Sequence, residues 1–337
     1  MKRLTWFLAV TLSACSALPE PTVDGGTARD SGAADAAIAD AGQVDAGEID
    51  AGPLDAGEVD AGVADAGKAD AGTDGGVRPD SGIPSDGGAF STDRTLFFGS
   101  PRCAGGGFAL CEDFESGVIN PAIWTVIGAP SVAVGTAEHA RGARALHITK
   151  TANGAAYIRE TMTFPAVNNS YYGRAFMKFV SMPARPMTYS HWTVLAASGN
   201  IVKGEIRVGG QLPTNVAARQ LFGVGTDNRT QDAGTGDWTT SDADPTGNAR
   251  EVPLNEWLCI EWLHQGSTNE TRFWWDAVEH PSLHTTPAKH GGNSNPFILP
   301  QFTNLWIGWQ EYQPSTETFE MWVDEIAIDE ARVGCVR

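Results

Sequence analysis

Positive charge is scarce in this chain: 23 Lys and Arg stand against 41 Asp and Glu in 337 residues, a formal net charge of -18. Without a basic stripe there is little to neutralise phosphates, which argues against nucleic acid as a partner. Helical periodicity long enough for a crossover helix is also missing, which argues against a parallel α/β sheet. Phosphate-binding loops, nucleotide-binding fingerprints and serine-nucleophile elbows are absent. The five cysteines do not pair as C-x-x-C, so the common zinc frameworks fit poorly. The apolar run from Leu4 to Leu12 is too short to span a bilayer.

That run follows Met1, Lys2 and Arg3 and leads into Ser13-Ala14-Cys15, the charged, apolar and small-residue order of a secretory signal. Its ending resembles the lipobox of bacterial lipoproteins, in which the cysteine is lipidated and becomes the new N-terminus. The resemblance implies a signal peptide and lipobox over residues 1–15, lipidation at Cys15, export, and membrane attachment through the lipid anchor only. In the sorting of such lipoproteins, Asp after the cysteine retains the protein at the inner membrane. Ser16 holds that place here and implies the outer membrane or cell surface.

From Asp40 to Gly72 the triplet Asp-Ala-Gly recurs every five residues. The surrounding stretch, Ser16 to Thr92, holds 16 acidic and 3 basic residues, so it carries -13 of the total charge and leaves -7 for residues 93–337. A segment so poor in large apolar side chains builds no core, and its like charges extend it; residues 16–92 read as a disordered acidic tether. The five-residue period departs from the nine-residue repeat of calcium-binding β-helices.

Beyond Phe90 lie all of the eleven Trp except Trp6. Strands are expected over Ala109–Glu115, Ala145–Thr149, Ala155–Phe164, Tyr172–Val180, His191–Ala197, Glu205–Val208, Leu221–Val224, Leu258–His264, Thr271–Asp276, Asn304–Trp309 and Glu320–Ile328. Many short strands with long Gly-rich connections predict an all-β fold over residues 93–337, a two-sheet jelly roll. In an exported domain, Cys103, Cys111, Cys259 and Cys335 are expected to form two disulfides. Three pairings are open. Cys103 with Cys111 and Cys259 with Cys335 is favoured, since the first closes a small Gly-rich loop and the second pins the C-terminal segment.

Three local patterns converge: Cys111-Glu112-Asp113-Phe114-Glu115-Ser116-Gly117 ahead of Trp124, Trp257-Leu258-Cys259-Ile260-Glu261 ahead of Trp274-Trp275-Asp276, and Trp322-Val323-Asp324-Glu325-Ile326. Together they resemble concanavalin A-like jelly rolls, and within that class the core domain of the fungal cellulose-induced protein family, related in fold to glucuronan and alginate lyases. In many carbohydrate-binding jelly rolls a Glu of the first strand and an Asp of the last meet at a calcium ion. The resemblance places Glu115 and Asp324 in those positions and implies a structural calcium completed by backbone carbonyls and the Val134–Gly142 loop. Simple polar-outward alternation explains the same residues without a metal.

The same resemblance directs attention to Tyr189-Ser190-His191-Trp192 and Glu205-Ile206-Arg207-Val208-Gly209-Gly210-Gln211. Glu205 and Arg207 share a strand face, and Gln211 joins them if the glycine pair bends the strand. Arg207 and Gln211 resemble an Arg and a Gln of the family's cleft, whereas Glu205 stands where the family has His. A lyase would cleave a uronate-containing polysaccharide by β-elimination. Arg207 and Gln211 would neutralise the carboxylate, His191 would remove the C5 proton and Tyr189 would protonate the leaving oxygen. Each has a plainer reading: Tyr189 and His191 as cleft-lining or core residues, Glu205 with Arg207 as a surface ion pair.

The Glu-x-Asp-x-x-Glu pattern of jelly-roll glucanases is missing, and Asp324, Glu325, Asp329 and Glu330 read as the polar outer face of a terminal strand. Alternation puts Trp274 and Trp275 on opposite faces, and likewise Trp306 and Trp309. The expected partner is polysaccharide, bound or cleaved; the alternative is a non-catalytic structural or adhesive surface lipoprotein. Expressed in a two-membrane bacterium, the full chain should incorporate labelled fatty acid and fractionate with membranes, and Cys15→Ser should abolish both. Label retained in that variant would refute the anchor assignment.

Overall fold

The computed structural model describes residues 88–105, 107–182, 190–199, 204–212, 220–228, 235–240, 250–290 and 297–337. Cys15 and Tyr189, the signal segment 1–15 and residues 16–87 of the tether lie outside the described residues. Among the described residues the strands are β1 (Leu110–Glu112), β2 (Trp124–Ile127), β3 (Val132–Gly135), β4 (Ala145–Thr151), β5 (Gly154–Glu160), β6 (Ser170–Ser181), β7 (Ser190–Gly199) and β8 (Gly204–Leu212). They continue with β9 (Gly223–Asn228), β10 (Thr235–Thr240), β11 (Trp257–Gln265), β12 (Glu270–Trp275), β13 (Val278–Glu279), β14 (Asn304–Glu311) and β15 (Thr318–Asp329). Among these residues no helix is long and apolar enough to cross a membrane.

The strands form two antiparallel sheets. The larger runs β13-β12-β11-β6-β15-β4-β3, with β1 paired to β15, and the smaller runs β10-β9-β8-β7-β14-β5-β2. Consecutive long strands switch sheets, β4 to β5 and β6 to β7, as in a jelly roll. The expected all-β, two-sheet fold is therefore what forms.

Period-2 alternation sets which side chains meet between the sheets. On β6 Ala175, Met177 and Phe179 point inward, on β15 Phe319, Met321 and Val323, and on β14 Leu305, Ile307 and Trp309. Trp192 stacks on Trp309 with centroids 5.6 Å apart, and Phe179 meets Phe222 edge-on at 5.9 Å. Gly173 interrupts β6 for a steric reason: a Cβ there would lie 2.1 Å from the Trp262 ring. A tyrosine–histidine pair is sealed beside this core. Tyr171 hydrogen-bonds His264 Nδ1 at 2.9 Å, and burial pushes the imidazole down to about 3, so it stays neutral.

The favoured disulfides are present, Cys103–Cys111 and Cys259–Cys335. Trp275 and Trp309 enter the core while Trp274 and Trp306 stay outside it, as alternation requires. Differences from expectation are local. β1 stops at Glu112 because Phe114 adopts φ 58 and turns the chain. β2, β3 and β13 are too short, at 4, 4 and 2 residues, to announce a period. Residues 235–240, for which no strand was expected, form β10, the edge strand beside β9.

The larger correction concerns β15. It is an interior strand between β6 and β4, and Asp324 and Glu325 are both 0 % exposed, so they are not a polar outer face. A bulge between Asp324 and Ala327, with Glu325 at φ 50, breaks the alternation and turns both carboxylates toward the same loop. Glu325 Oε2 accepts from Arg141 Nη1 at 2.8 Å and from Arg174 Nη2 at 2.9 Å, and Oε1 accepts from the Arg102 amide at 2.6 Å. Glu325→Gln leaves two buried guanidiniums without that counter-charge and should cost about 3–5 kcal/mol. Chemical denaturation of the two proteins measures it; a loss below about 1 kcal/mol would place the stabilisation elsewhere.

Candidate functional site on the smaller sheet

The outer face of the smaller sheet carries His191, Glu205 and Arg207, three of the residues singled out for chemistry. Register carries them into line. Across the strands, Arg159 of β5 lies opposite Trp306 of β14, Trp306 opposite Ala196 of β7, and Ala196 opposite Arg207 of β8. One step along, Gln310 pairs with Thr193 and Thr193 with Gly209; beyond that, His191 pairs with Gln211. β7 is irregular here: its pairing shifts against β8 between Thr193 and Leu195, and against β14 between Ile307 and Gln310. Val194 and Leu195 thereby both enter the core, and His191 stays outward beside Tyr312. Such irregularities commonly re-aim side chains at sites.

Tyr312 is the residue that joins the site. Its ring stacks on the His191 imidazole, centroids 4.2 Å apart at 14°, and Arg207 Cζ lies 4.8 Å from its centroid. Both are favourable, a flat ring contact and a cation over a π face. Its amide also donates to the His191 carbonyl at 3.4 Å. Nothing in the local sequence around Tyr312 marks it. The available signal was the run Trp306, Gly308, Gln310, Tyr312, alternate positions that leave β14 on one face.

A second ring pair flanks the first. Tyr157 of β5 stacks on Trp306 at 4.4 Å and 19°. Trp306 is only 4 % exposed, so Tyr157 is the presented ring and Trp306 its backing. Burial pushes the Tyr157 hydroxyl up, Arg159 opposes this and Glu205 adds to it. Glu205 and Arg207 form the ion pair foreseen, with Nε donating to Oε1 at 2.5 Å. It is not a surface pair, since the Arg207 side chain is 8 % exposed and that of Glu205 24 %. Of the four residues expected to act, His191 and Arg207 are brought together through Tyr312, Gln211 is placed by backbone register with its side chain outside the described part, and Tyr189 lies outside the described residues.

Glu115 and Asp324, the expected calcium ligands, also converge, on the loop after β3. Glu115 Oε1 accepts from the amides of Ala143 and Arg144 at 2.8 and 2.9 Å. Asp324 Oδ2 accepts from the amides of Ala140 and Arg141 at 2.9 Å each, and Oδ1 from that of Glu325 at 2.8 Å. Gly142 is needed at the centre, with φ 68 and no room for a Cβ, which would sit 2.3 Å from Glu115 Oε1. Calcium takes roughly six to eight oxygen ligands. Here three of the four carboxylate oxygens, Glu115 Oε1 and both of Asp324, accept from backbone N–H donors, so the residues fasten a loop and do not fit the ion. Burial pushes Asp324 up to about 7 against those three amides.

Among the described residues, side chains grouped closely enough to hold a metal are Cys103, Cys111 and Glu325, and Cys259, Glu261 and Cys335. Their cysteines are disulfide-bonded.

A two-sheet antiparallel sandwich with aromatic and charged side chains collected on one outer sheet face defines a carbohydrate-related jelly roll. The chain belongs to the polysaccharide lyase-like family described as "Cip1-like, core domain", which matches residues 113–331. No curated protein matches it. Among solved structures it is similar to the cellulose-induced protein Cip1, with 18 % identity and TM-score 0.48 over 67 % of this chain and 99 % of that one. It is similar to domain 4 of AbnA, a GH43 extracellular arabinanase of Geobacillus stearothermophilus, with 13 % identity and TM-score 0.40 over 68 % and 94 %. The CBM22-1 xylan-binding domain of Paenibacillus barcinonensis Xyn10C follows, with 12 % identity and TM-score 0.34 over 67 % and 96 %.

The loop chemistry predicts that chelation leaves the thermal midpoint unmoved. An ion at a hundredfold excess over its Kd would add about 2.7 kcal/mol. A midpoint that falls in EDTA and returns with calcium would overturn the amide-anchor assignment of Glu115 and Asp324.

Proposed function

We propose that the domain binds polysaccharide across the outer face of the smaller sheet, displayed outside the cytoplasm on a lipidated Cys15 and its acidic tether. The observation that carries this is the meeting of His191, Arg207 and Tyr312 beside the Tyr157–Trp306 pair, side chains from four neighbouring strands and the residue just after β14 on one face. Flat rings present surfaces to the C–H faces of pyranoses, while Arg207, Glu205 and Gln310 offer donors and acceptors for hydroxyls. Membership of a polysaccharide lyase-like family supports the same substrate class.

Cleavage by β-elimination is a second reading, favoured by His191 and Arg207 sharing one aromatic neighbour. In it Arg207 and Gln211 hold the uronate carboxylate, His191 takes the C5 proton and Tyr189 protonates the leaving oxygen. The Glu205 carboxylate already on Arg207 weakens the first of these roles, so binding is the stronger account.

Migration of the full chain through gels containing soluble polysaccharides should be retarded by at least one of them. Tyr157→Ala should weaken that retardation about tenfold, the usual cost of truncating a stacked anchor. Absence of retardation across neutral and acidic glycans would favour an adhesive lipoprotein that contacts proteins. Ultraviolet absorbance of the unsaturated product, developing on a polyuronate and lost in His191→Ala, would establish elimination.

A further inference from the structure

Arg207 enters the proposed site with its charge already matched. Its Nε donates to Glu205 Oε1 at 2.5 Å, and Nη2 lies 2.5 Å from the same oxygen. The two residues stand two apart on β8 and so share a face; the strand itself creates the pair. The guanidinium is nearly sealed, by Glu205 at its edge and Tyr312 at its face, while the carboxylate keeps an exposed portion.

We infer that Glu205 is the residue that sets the glycan class, making this face select neutral polysaccharide and turn away polyuronate; the inference rests on the binding reading above. A uronate seeking Arg207 has to displace a carboxylate two residues away, whose effective concentration is that of an intramolecular group. Failing to displace it, the uronate brings a second negative charge against a partly buried first one, which is repulsive and poorly screened there.

The remaining described cation on this face, Arg159, stands on β5, with β14 and β7 between it and β8. A single such charge contributes little in solvent, and the net charge of -7 on residues 93–337 repels a polyanion at longer range. A neutral sugar meets none of these penalties. Its hydroxyls donate to the exposed part of Glu205, and its C–H face lies on Tyr157.

The full chain is run through native gels containing xylan or a mixed-linkage β-glucan, and through parallel gels containing alginate or glucuronan. Wild type should be retarded by a neutral glycan and pass the polyuronates freely. Glu205→Gln removes the competing charge and keeps the shape, and should raise polyuronate affinity about tenfold or more, the worth of a charge-assisted hydrogen bond. Adding Arg207→Gln to it should abolish the gain, which separates a freed guanidinium from a general change in charge.

Wild type retarded more by polyuronate than by neutral glycan overturns the inference and leaves polysaccharide binding standing; that comparison decides even where a variant misfolds. A folded Glu205→Gln protein with no gain on polyuronate also overturns it. Wild type retarded by nothing overturns the binding reading, and the inference falls with it.

Discussion

One buried carboxylate ties together the parts of this domain that are far apart in sequence. Glu325 of β15 holds Arg141 from the loop after β3, Arg174 from β6 and the amide of Arg102 from the N-terminal segment. The two guanidiniums outnumber it, and burial drives Arg141 down to about 10 and Arg174 down to about 9. What compensates the excess is a ring of carbonyls: Arg141 also donates to Phe97, Cys335 and Arg337, and Arg174 to Gly334 and Arg337. Buried charges persist only when paired and fully hydrogen-bonded. Apart from the Phe97 carbonyl, these acceptors are supplied by residues 334–337, which the Cys259–Cys335 disulfide holds against β11.

This network decides where the described chain folds back over the larger sheet. The segments it gathers lie over that sheet's outer face, where Phe97, Phe176, Ala140, Cys259 and Cys335 make a second small core. The cover is partial, since His147 and Glu320 farther along the face keep side chains 33 % and 34 % exposed. On the smaller sheet the outward residues Arg207, His191, Tyr157 and Gln310 are brought into line by strand register and its shifts in β7. The two outer faces thus differ in what they carry: one takes up the chain's own segments, the other lines up the charged and aromatic residues of the candidate site.

Long strands were legible because alternation survives over many residues: β6, β11, β14 and β15 were all anticipated, and so was the splitting of Trp274 from Trp275, and of Trp306 from Trp309, between opposite faces. Asp324 and Glu325 were misread for the same reason. Alternation treats a charged residue near the end of a strand as solvent-facing, and only the three-dimensional position of Arg141 and Arg174 shows that these two are buried. Glu115 and Asp324 both reach the segment after β3, yet the chemistry of that segment, amide hydrogens in place of carbonyl oxygens, depends on peptide orientation that residue types do not encode. Arg207 and His191 could be found from spacing and resemblance. Tyr312 could not, because its contact with them crosses from β14 to β7 and β8 and so depends on register.

Two of the carboxylate–arginine systems among the described residues show how one interaction serves opposite ends. Around Glu325 both carboxylate oxygens and every guanidinium nitrogen of Arg141 and Arg174 find partners within the fold, and both side chains of each pair are 0 % exposed. Around Glu205 the arginine is nearly as buried, but the carboxylate is 24 % exposed and sits among rings at the sheet surface. The first arrangement is stable because it is closed. The second is held by a local i, i+2 contact on one strand, which fixes the arginine without using up the carboxylate. A residue that pins a cation while remaining open to hydroxyls is suited to sorting ligands by charge, and that capacity comes from where the pair lies relative to the sheet rather than from the residue types, which are the same in both places.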